Sequence, residues 1–434
     1  MFEIRPRNKM VERALLVGAY GDPAHKADAG DLLEELEELV RTLGVPVADR
    51  MLVFNREPQA RFLVGSGKAE EVCARITEAR CDVVIFDNEL TPAQQRNWET
   101  LSKVTVIDRR EIILDIFGSR AQSREARIQV DLARMAYSLP RLTRAWSHLG
   151  QQGGGIGAKG EGESQLEQDK RKIRGQIDRL KKELIQVRRS RATQRKDRKR
   201  APVPNAAIVG YTNAGKSSLL KKLTGANVLV EDKLFATLDT TTRKIALPNK
   251  QPLLLTDTVG FIRKLPPELV ESFNATLEEA TYSDFLIHVL DASNPRVIEF
   301  YNTTMKVLAD LGADTKQMLV VFNKMDKVGD TGTREVLRKH FPAAVFISVH
   351  NSDGFGELVD RIADFVSTGT QEVELCLPLG RNDLLARLHR EGTVHRTAYE
   401  DDGMHVRATI PDRAREALTE FLVAPDAIAT PASR

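Results

Sequence analysis

Cysteine is scarce in this chain of 434 residues, and its scarcity excludes one class of protein. The three cysteines, Cys73, Cys81 and Cys376, show no metal-ligand spacing along the sequence, and an odd number leaves at least one thiol out of any set of disulfides. A small secreted scaffold built on disulfides is therefore excluded. The reducing cytoplasm is the simplest compartment for such a chain.

Long apolar runs are missing as well. No run approaches the ~18 residues of a membrane-spanning helix, and charged residues near the amino terminus, from Glu3 to Lys9, replace the apolar core of a signal peptide. These absences predict a cytoplasmic protein without a membrane span. Hydrophobic content of 41% and charged content of 29% are ordinary for globular proteins, and the length predicts roughly three domains.

A large net charge is also absent, since the formal value is only +3, but the basic residues are unevenly distributed. Between Lys170 and Arg200 there are fifteen lysines and arginines against Asp178, Glu183 and Asp197. Such a run is either a solvated helix face or a surface that contacts nucleic-acid phosphates, where each neutralised phosphate releases counterions. The composition of the run leaves both interpretations open.

Residues 1–122 alternate short apolar runs with amphipathic helices. The runs Ala14–Ala19, Val83–Phe86 and Val104–Ile107 predict buried strands, and Pro92–Leu101 predicts a helix between the last two. Alternation of strands and helices is typical of a parallel sheet covered by helices. We therefore predict an N-terminal parallel α/β domain.

Residues 123–200 have a different, heptad-like period. Apolar residues recur there with gaps of three and four, first at Ile128, Leu132, Met135, Leu139, Leu142, Trp146 and Leu149, and then at Leu166, Ile173, Ile177, Leu180, Leu184 and Val187. This spacing predicts two helices with matching apolar seams, packed as an antiparallel helical hairpin. Pro140 should kink the first arm, because proline cannot continue the hydrogen bonds of a helix.

The segment between the two arms, Gly150–Gly162, is rich in glycine. Each glycine costs a helix about 1 kcal/mol relative to alanine, so we expect a non-helical tip. A flexible linker is one interpretation, but Ile156, Lys159 and Glu161 are unusual in a linker. The other interpretation is a permissive backbone that fits closely against RNA or a partner.

The string Gly210-Tyr-Thr-Asn-Ala-Gly-Lys-Ser217 fits the phosphate-binding pattern G-x-x-x-x-G-K-[ST], and a strand at Ala206–Val209 precedes it. Backbone N–H groups and a helix N-terminus would surround the phosphates. Lys216 would bridge the β- and γ-phosphates, and Ser217 would bind Mg²⁺. The predicted phosphate-binding residues are Gly210, Tyr211, Thr212, Asn213, Ala214, Gly215, Lys216, Ser217 and Ser218.

A D-x-x-G pattern follows at the end of an apolar strand, with Asp257, Thr258, Val259 and Gly260 as predicted nucleotide-binding residues. Asp257 would act on Mg²⁺ through a water, and Gly260 would donate its N–H to the γ-phosphate. The predicted first switch before this strand contains Phe235, Ala236, Thr237, Leu238 and Asp239. Thr237 is the expected Mg²⁺ threonine, while Thr240–Thr242 are alternatives, and any of these threonines could be a strand-edge residue.

An N-K-x-D pattern after the apolar run Met318–Phe322 predicts recognition of the base. The Asp326 carboxylate can accept hydrogen bonds from the N1–H and 2-amino groups of guanine, which adenine does not offer, and a buried carboxylate left unpaired is costly. Asn323 would brace the surrounding loops, Lys324 would lay its stem on the base, and a later loop would supply N–H donors. The predicted base-site residues are Asn323, Lys324, Met325, Asp326, Ser348, Val349 and His350.

One residue type is absent from the expected place for catalysis. Ras-like enzymes carry a water-orienting glutamine directly after D-x-x-G, where this chain has Phe261. We therefore assign no catalytic side chain and predict slow GTP hydrolysis that a partner accelerates by ordering the switches or contributing a group. Alternatively, Phe261 is a packing residue and backbone groups hold the water.

The motifs together predict a multidomain α/β architecture. A doubly wound P-loop GTPase domain that binds GTP and GDP should occupy residues 203–367, after the N-terminal domain and the hairpin. Residues 368–434 should form a small C-terminal α+β domain, in which Val373, Leu375 and Leu377 alternate along a strand. The predicted elements after that strand are a helix at Asp383–His389, strands at Thr393–Tyr399 and Met404–Ile410, and a closing helix at Arg413–Leu422.

The chain resembles the HflX family of bacterial GTPases, in the Obg-related branch. The resemblance rests on five strings in order, Gly153–Gly162, Glu163–Arg171, Gly210–Ser217, Phe235–Asp239 and Asp257–Ile262. It implies a Mg²⁺-dependent GTPase that binds the large ribosomal subunit and the 70S ribosome and can split, rescue or recycle ribosomes, particularly under stress. It also implies that the amino-terminal region and the hairpin reach ribosomal RNA, that Thr237 binds Mg²⁺ and that the ribosome activates hydrolysis.

Two other functions stay open beside this expectation. The first is a ribosome-assembly GTPase that acts on subunit precursors, with the same nucleotide chemistry. The second is a signalling switch whose hairpin docks a protein helix instead of RNA. Contacts to RNA should weaken steeply with salt, whereas hydrophobic docking should not. In each case we expect a monomer.

Overall fold

The computed structural model describes residues 12–142, 159–200, 203–225, 234–235, 238–249, 251–264, 279–368 and 370–423. They form two compact units. The first unit contains the described parts of Met1–Val187, Glu231–Asp239 and Ile262–Asn274, and the second contains those of Arg188–Val230, Thr240–Phe261 and Ala275–Arg434. Within the described ranges, no helix is both long enough and apolar enough to cross a membrane.

The N-terminal sheet is entirely parallel, as the alternating pattern predicted. Its strand order is β2-β1-β3-β4. The strands are β1 (Ala14–Tyr20), β2 (Val47–Phe54), β3 (Val83–Phe86) and β4 (Thr105–Asp108), and the helices are α1 (Lys26–Thr42), α2 (Ser66–Ala79), α3 (Pro92–Ser102) and α4 (Arg109–Arg120). The pattern missed β2, because this edge strand is only partly buried and carries Asp49 and Arg50 among its apolar residues.

Trp98 on α3 is the largest fully buried side chain of this domain. Its ring lies 5.5 Å from that of Phe62 and 4.9 Å from that of Phe86, and its Nε1–H donates to the Phe62 carbonyl at 2.8 Å. The helix begins where Thr91 and Gln94 form a capping box, which satisfies backbone donors of its first turn. The capping box at Thr91 and the burial of Trp98 therefore both stabilise a helix in this stretch of the chain.

The described part of the first hairpin arm is an α-helix only up to Ser138. Helix α5 (Arg124–Ser138) starts at a Ser123 cap and ends in a 3₁₀ turn at Leu139–Arg141. The α-helix is interrupted at Pro140, where the kink was predicted, because proline lacks the N–H that the next α-helical hydrogen bond needs; the arm from residue 143 onward lies outside the described residues. The seam residues Trp146 and Leu149 lie outside the described residues.

The second arm is helix α6 (Lys159–Arg200), which starts inside the glycine-rich segment. The prediction of a non-helical backbone is therefore wrong for residues 159–162, while residues 150–158 lie outside the described chain. A penalty of about 1 kcal/mol for a glycine is small once a helix of 42 residues propagates. Arg124 at the start of α5 pairs with Glu183 late in α6 at 2.7 Å, as an antiparallel hairpin requires.

The second unit contains a doubly wound sheet of order β10-β9-β8-β5-β7-β6, parallel except for the edge strand β6. Its strands are β5 (Asn205–Val209), β6 (Thr241–Ala246), β7 (Pro252–Asp257), β8 (Phe285–Asp291), β9 (Met318–Asn323) and β10 (Val345–Phe346). Its helices are α7 (Lys216–Thr224), α8 (Val297–Asp310), α9 (Thr331–His340) and α10 (Phe355–Thr368). Ligands of such sheets bind beyond the carboxyl ends of the strands, where the predicted motifs lie.

The C-terminal part of this unit is a three-stranded antiparallel sheet of order β11-β13-β12. Its elements are β11 (Thr370–Leu377), α11 (Asn382–Glu391), β12 (Thr393–Glu400), β13 (Gly403–Pro411) and α12 (Asp412–Arg415). The predicted single closing helix is wrong, because a 3₁₀ segment (Glu416–Phe421) follows α12. The tighter winding buries Leu418 and brings Leu422 into a bridge with Leu375 of β11.

Candidate nucleotide site

The P-loop connects the interior strand β5 to α7. Gly210 and Gly215 have φ angles of 144° and 96°, which side chains rarely adopt. A Cβ atom on Gly210 would also lie 2.2 Å from the Val289 carbonyl oxygen, and one on Gly215 would lie 2.2 Å from Nδ2 of Asn323. Both glycines are therefore required by backbone conformation and by close packing.

Lys216 is the buried cation of this loop. Its Nζ donates to the carbonyl of Tyr211 at 2.8 Å, so the side chain folds back along the loop. Burial lowers the pKa of Lys216 to about 8, and nearby Asp257 opposes this effect. A nucleotide phosphate beside this ammonium would supply the negative charge that a buried cation needs.

Ser217 and Asp257 meet at the start of α7 and the end of β7. The Ser217 hydroxyl donates to Oδ2 of Asp257 at 2.6 Å. A hydroxyl and a carboxylate are hard oxygen ligands, the type that Mg²⁺ prefers, so this pair fits the predicted cation. The expected third partner, Thr237, lies outside the described residues, as does Ala236.

Backbone hydrogen bonds tie the D-x-x-G loop to the P-loop. The N–H of Thr212 donates to the Phe261 carbonyl at 2.8 Å, and the N–H of Phe261 donates to the Gly210 carbonyl at 3.1 Å. A Cβ atom on Gly260 would lie 2.8 Å from Cα of Thr212. Phe261 is buried, which fits the interpretation of this residue as a packing side chain.

Asn323 joins the P-loop to the loop that follows β10. Its Nδ2 donates to the Ala214 carbonyl at 2.9 Å, and its Oδ1 accepts from the N–H of Val349 at 3.0 Å. The neighbouring Ser348 hydroxyl donates to Oδ1 of Asp326 at 2.5 Å and thereby lowers the pKa of that carboxyl. Asp326 is therefore held as an ionised acceptor, the form that guanine recognition requires.

Lys324 has a partner that the sequence patterns did not reveal. Its Nζ pairs with Oδ2 of Asp291 at 2.8 Å, and its backbone is left-handed with φ of 62°. Asp291 ends β8, where it also accepts hydrogen bonds from Ser293. A carboxylate directly after the apolar run Phe285–Leu290 was the available signal. The ion pair fixes the lysine whose stem is predicted to cover the base.

Two histidines near these elements have structural roles. His350 is exposed, and its Nδ1 lies 2.9 Å from Oδ1 of Asn351. His288 is fully buried, stacks on Tyr301 at 5.2 Å, and its ring nitrogens have no hydrogen-bond partner among the described residues. Burial, assisted by Lys216, lowers the pKa of His288 to about 3, so the ring is neutral. Neither histidine is placed as a general base.

The described first-switch residues belong to the first compact unit. Phe235 packs edge-on against Phe117 with ring centres 4.6 Å apart. The Asp239 carboxylate accepts from the N–H groups of Gln122 at 2.8 Å and Ser123 at 2.9 Å, and from the Ser123 hydroxyl, at the start of α5. Of the alternative threonines, Thr241 and Thr242 lie on the edge strand β6, and the Thr242 hydroxyl hydrogen-bonds to that of Thr256 at 2.9 Å.

The residues just after D-x-x-G also contact the N-terminal domain. Lys264 Nζ lies 2.6 Å from Oδ2 of Asp87, which follows β3 at the carboxyl edge of the N-terminal sheet. The other oxygen of Asp87 pairs at 2.6 Å with Arg109, and Arg109 pairs at 2.7 Å with Glu35. No local pattern predicted this buried network, because Lys264 and Asp87 are 177 residues apart in the chain.

A doubly wound sheet with a P-loop, a D-x-x-G loop and an N-K-x-D loop at one edge defines a P-loop GTPase. Three sequence families match consecutive parts of the chain. Residues 30–118 match the family described as GTP-binding GTPase N-terminal, residues 120–198 match GTP-binding GTPase Middle Region, and residues 205–324 match 50S ribosome-binding GTPase.

Similarity to curated proteins extends over nearly the whole chain. Identity is 50% to GTPase HflX of Akkermansia muciniphila, covering 97% of this chain and 99% of that protein. It is 38% to GTPase HflX of Escherichia coli, covering 95% and 98%. The chain therefore belongs to the HflX family of GTPases, which confirms the resemblance. Among solved structures, the complex of SsGBP with GDP has 27% identity, covers 83% of this chain and 99% of that chain, and has a TM-score of 0.48.

Replacing Asp326 by asparagine should change the preferred base. The amide donates where the carboxylate accepts, so we expect GTP affinity to fall by about a hundredfold and XTP affinity to rise. Competition of both nucleotides against a fluorescent GDP analogue measures the change. Asp330→Asn, the same substitution at the exposed cap of α9, should leave the preference unchanged. Retained GTP selectivity in Asp326→Asn would refute the predicted base site.

Nucleotide affinity should depend on pH through Lys216. The pKa of this lysine is about 8 in the nucleotide-free protein, and phosphates should raise it. Binding then takes up a proton above about pH 8, so GDP affinity should fall as pH rises from about 7.5 to 9, by no more than about tenfold per pH unit. Calorimetry in buffers of different ionisation enthalpy measures the uptake. Proton uptake that is the same across this range would contradict the assignment.

Lys264 and Asp87 should be energetically coupled. We expect a double-mutant cycle of Lys264→Met and Asp87→Asn to give about 0.5–1 kcal/mol, a value kept small because Lys264 is half exposed. Urea unfolding followed by circular dichroism measures the four stabilities. The exposed pair Lys68–Glu71 serves as the control cycle and should give less. Equal coupling in the two cycles would show that the buried network does not hold Lys264.

Proposed function

We propose that this GTPase binds the large ribosomal subunit and uses its GTP-bound state to split, rescue or recycle ribosomes. The observation that carries the proposal is the match of residues 205–324 to a family described as 50S ribosome-binding GTPase. Its near full-length relatives named GTPase HflX support the same assignment. The proposed domains are an N-terminal domain (1–122), a hairpin (123–200), a G domain (203–367) and a C-terminal domain (368–434).

The exposed face of α6 supports RNA as the surface that the hairpin contacts. Between residues 167 and 189, the exposed acidic residues are Glu167 and Asp178. The exposed basic residues of the same stretch are Arg171, Lys172, Arg174, Arg179, Lys181, Lys182, Arg188 and Arg189. Ile173 and Leu184 are buried, so the helix is held by apolar side chains while its basic side chains face solvent. Such a face suits a phosphate backbone, where affinity comes from counterion release.

The chemistry of the cycle follows from the residues of the site. Water attacks the γ-phosphate of GTP, and GDP and phosphate leave. Lys216 and the backbone N–H groups of the P-loop would hold the β- and γ-phosphates, and Ser217 with Thr237 would hold Mg²⁺, which neutralises charge on these phosphates when bound. Phe261 is buried and carries no group that can orient water. The ribosome would therefore accelerate hydrolysis by ordering the switches or supplying a group.

The nucleotide state would reach the rest of the protein through the two switches. When the γ-phosphate is present, Thr237 and Gly260 would close on it and on Mg²⁺. Asp239 lies two residues after Thr237, and Lys264 lies four residues after Gly260. Asp239 contacts Ser123 at the start of the hairpin, and Lys264 contacts Asp87 of the N-terminal domain. Movement at the phosphate would therefore alter the part of the protein proposed to contact ribosomal RNA.

Sedimentation of the full chain with 70S ribosomes and large subunits tests the proposal. We expect a non-hydrolysable GTP analogue, but not GDP, to promote binding to large subunits and loss of the 70S peak. Binding to large subunits with an intact 70S peak would favour the assembly function. Absence of binding in both nucleotide states would overturn the ribosomal assignment and favour a protein-binding switch.

Charge reversal on α6 tests which surface contacts the ribosome. In the same assay, Lys181→Glu with Lys182→Glu should weaken binding at least about tenfold and flatten its salt dependence, because two phosphate contacts are lost. The matched control is Lys306→Glu with Lys339→Glu, which makes the same charge change on exposed parts of α8 and α9. Equal losses in both variants would assign the effect to overall charge, and unchanged binding would exclude α6 as the RNA contact.

A further inference from the structure

The C-terminal sheet brings together three side chains of metal-ligand type that the sequence spacing did not connect. Cys376 on β11 lies directly opposite His405 on β13 in the antiparallel register. Asp402 lies in the turn between β12 and β13, three residues before His405. The thiol sulfur, a carboxylate oxygen and an imidazole nitrogen all lie within 4.8 Å of one another.

The alternation of the strands places this group on the face of the sheet opposite its core. Leu375 and Leu377 on β11 are fully buried, as are Met404 and Val406 on β13. Successive side chains on a strand point to opposite faces, so Cys376 and His405 share the other face. Both are only partly buried there, which leaves a path for an ion from solvent.

The distances are close to those that a tetrahedral ion needs. Zinc binds thiolate sulfur, imidazole nitrogen and carboxylate oxygen at about 2.0–2.3 Å, so its ligand atoms lie roughly 3.3–3.7 Å apart. Here Nε2 of His405 is 3.0 Å and 3.1 Å from the two oxygens of Asp402. A carboxylate oxygen of Glu400 lies 3.9 Å from the same nitrogen. Small side-chain rotations would open this group around one ion.

The turn packs closely against β11 beside the sulfur. Gly403 has a φ of 151°, and a Cβ atom at this position would lie 2.9 Å from both Sγ of Cys376 and the Leu377 carbonyl oxygen. Any larger residue would therefore push on the thiol and on the β11 backbone. The hairpin also carries the consecutive acidic residues Glu400, Asp401 and Asp402. The negative charge that they gather beside a thiol and an imidazole suits a divalent cation.

The alternative is a plain hydrogen bond between His405 and Asp402 that closes the hairpin, with Cys376 as a small packing residue. That bond raises the pKa of His405. It accounts for two of the three residues directly, and the Cys376 thiol lies 3.8 Å from the Asp402 carbonyl, to which it can donate only a weak hydrogen bond. Soft sulfur together with nitrogen and oxygen is a donor set that selects zinc over Mg²⁺.

We propose that Cys376, Asp402 and His405 form a site for one Zn²⁺ ion, with Glu400 or water as the fourth ligand. The ion would tie β11 to the β12–β13 hairpin and so stabilise the C-terminal sheet. Such a site is separate from the Mg²⁺ position at Ser217, and it does not depend on the function proposed for the nucleotide cycle.

Cobalt titration of the full-length, metal-stripped protein under reducing conditions tests the site. Excess Mg²⁺ and GDP keep the nucleotide site filled. We expect one Co²⁺ per chain, with the near-ultraviolet charge-transfer band that only a thiolate ligand produces, and loss of the band when Zn²⁺ is added. Absence of the band in the unaltered protein would overturn the proposal.

Variants decide which residues bind the ion. Cys376→Ser should abolish the charge-transfer band, while Cys73→Ser, at a thiol of the N-terminal domain, should leave it unchanged. His405→Gln and Asp402→Asn keep the thiol and should each weaken Co²⁺ binding at least about tenfold, since even outer partners of metal ligands have effects of this size. A GTP hydrolysis rate equal to that of the unaltered protein shows that each variant is folded. A band that survives in Cys376→Ser, or affinity unchanged in both other variants, would refute the site.

Discussion

The nucleotide site depends on the side-chain amide of Asn323, which hydrogen-bonds two loops at once. It donates to the Ala214 carbonyl in the P-loop and accepts from the Val349 N–H in the loop after β10. Gly215 leaves room for this amide, because a Cβ atom there would overlap it. One residue therefore fixes the distance between the place for the phosphates and the place for the base. Asp326, held by Ser348, has a defined position only because these loops do.

The two switches differ from this rigid core in what holds them. The core uses backbone hydrogen bonds, such as those that join Phe261 to Gly210 and Thr212. The switch residues use side-chain contacts, namely Phe235 against Phe117, Asp239 at the cap of α5 and Lys264 at Asp87. Lys264 is half exposed, and a charged contact at that depth is worth little and exchanges readily. A second switch held by such a contact suits a cycle in which the bound nucleotide changes its position.

Local sequence patterns predicted an element correctly where the residues of that element alone determine its conformation. Helix α3 begins at its capping box, the strand before the P-loop is apolar, and the heptad period of the second arm predicted α6. They failed where a neighbour decides the conformation. The edge strand β2 has too few apolar residues to be recognised, and the 3₁₀ segment after α12 forms because Leu418 and Leu422 reach β11.

The amino-acid sequence by itself determined the class of domains and the guanine-nucleotide motifs, because each motif is a short string whose residues act within one loop. Only the tertiary structure decided the pairing of Lys324 with Asp291, the network of Lys264, Asp87 and Arg109, and the meeting of Cys376 with His405. These contacts join residues that are far apart in the chain. Their partners are chosen by strand order and register, which no local pattern encodes.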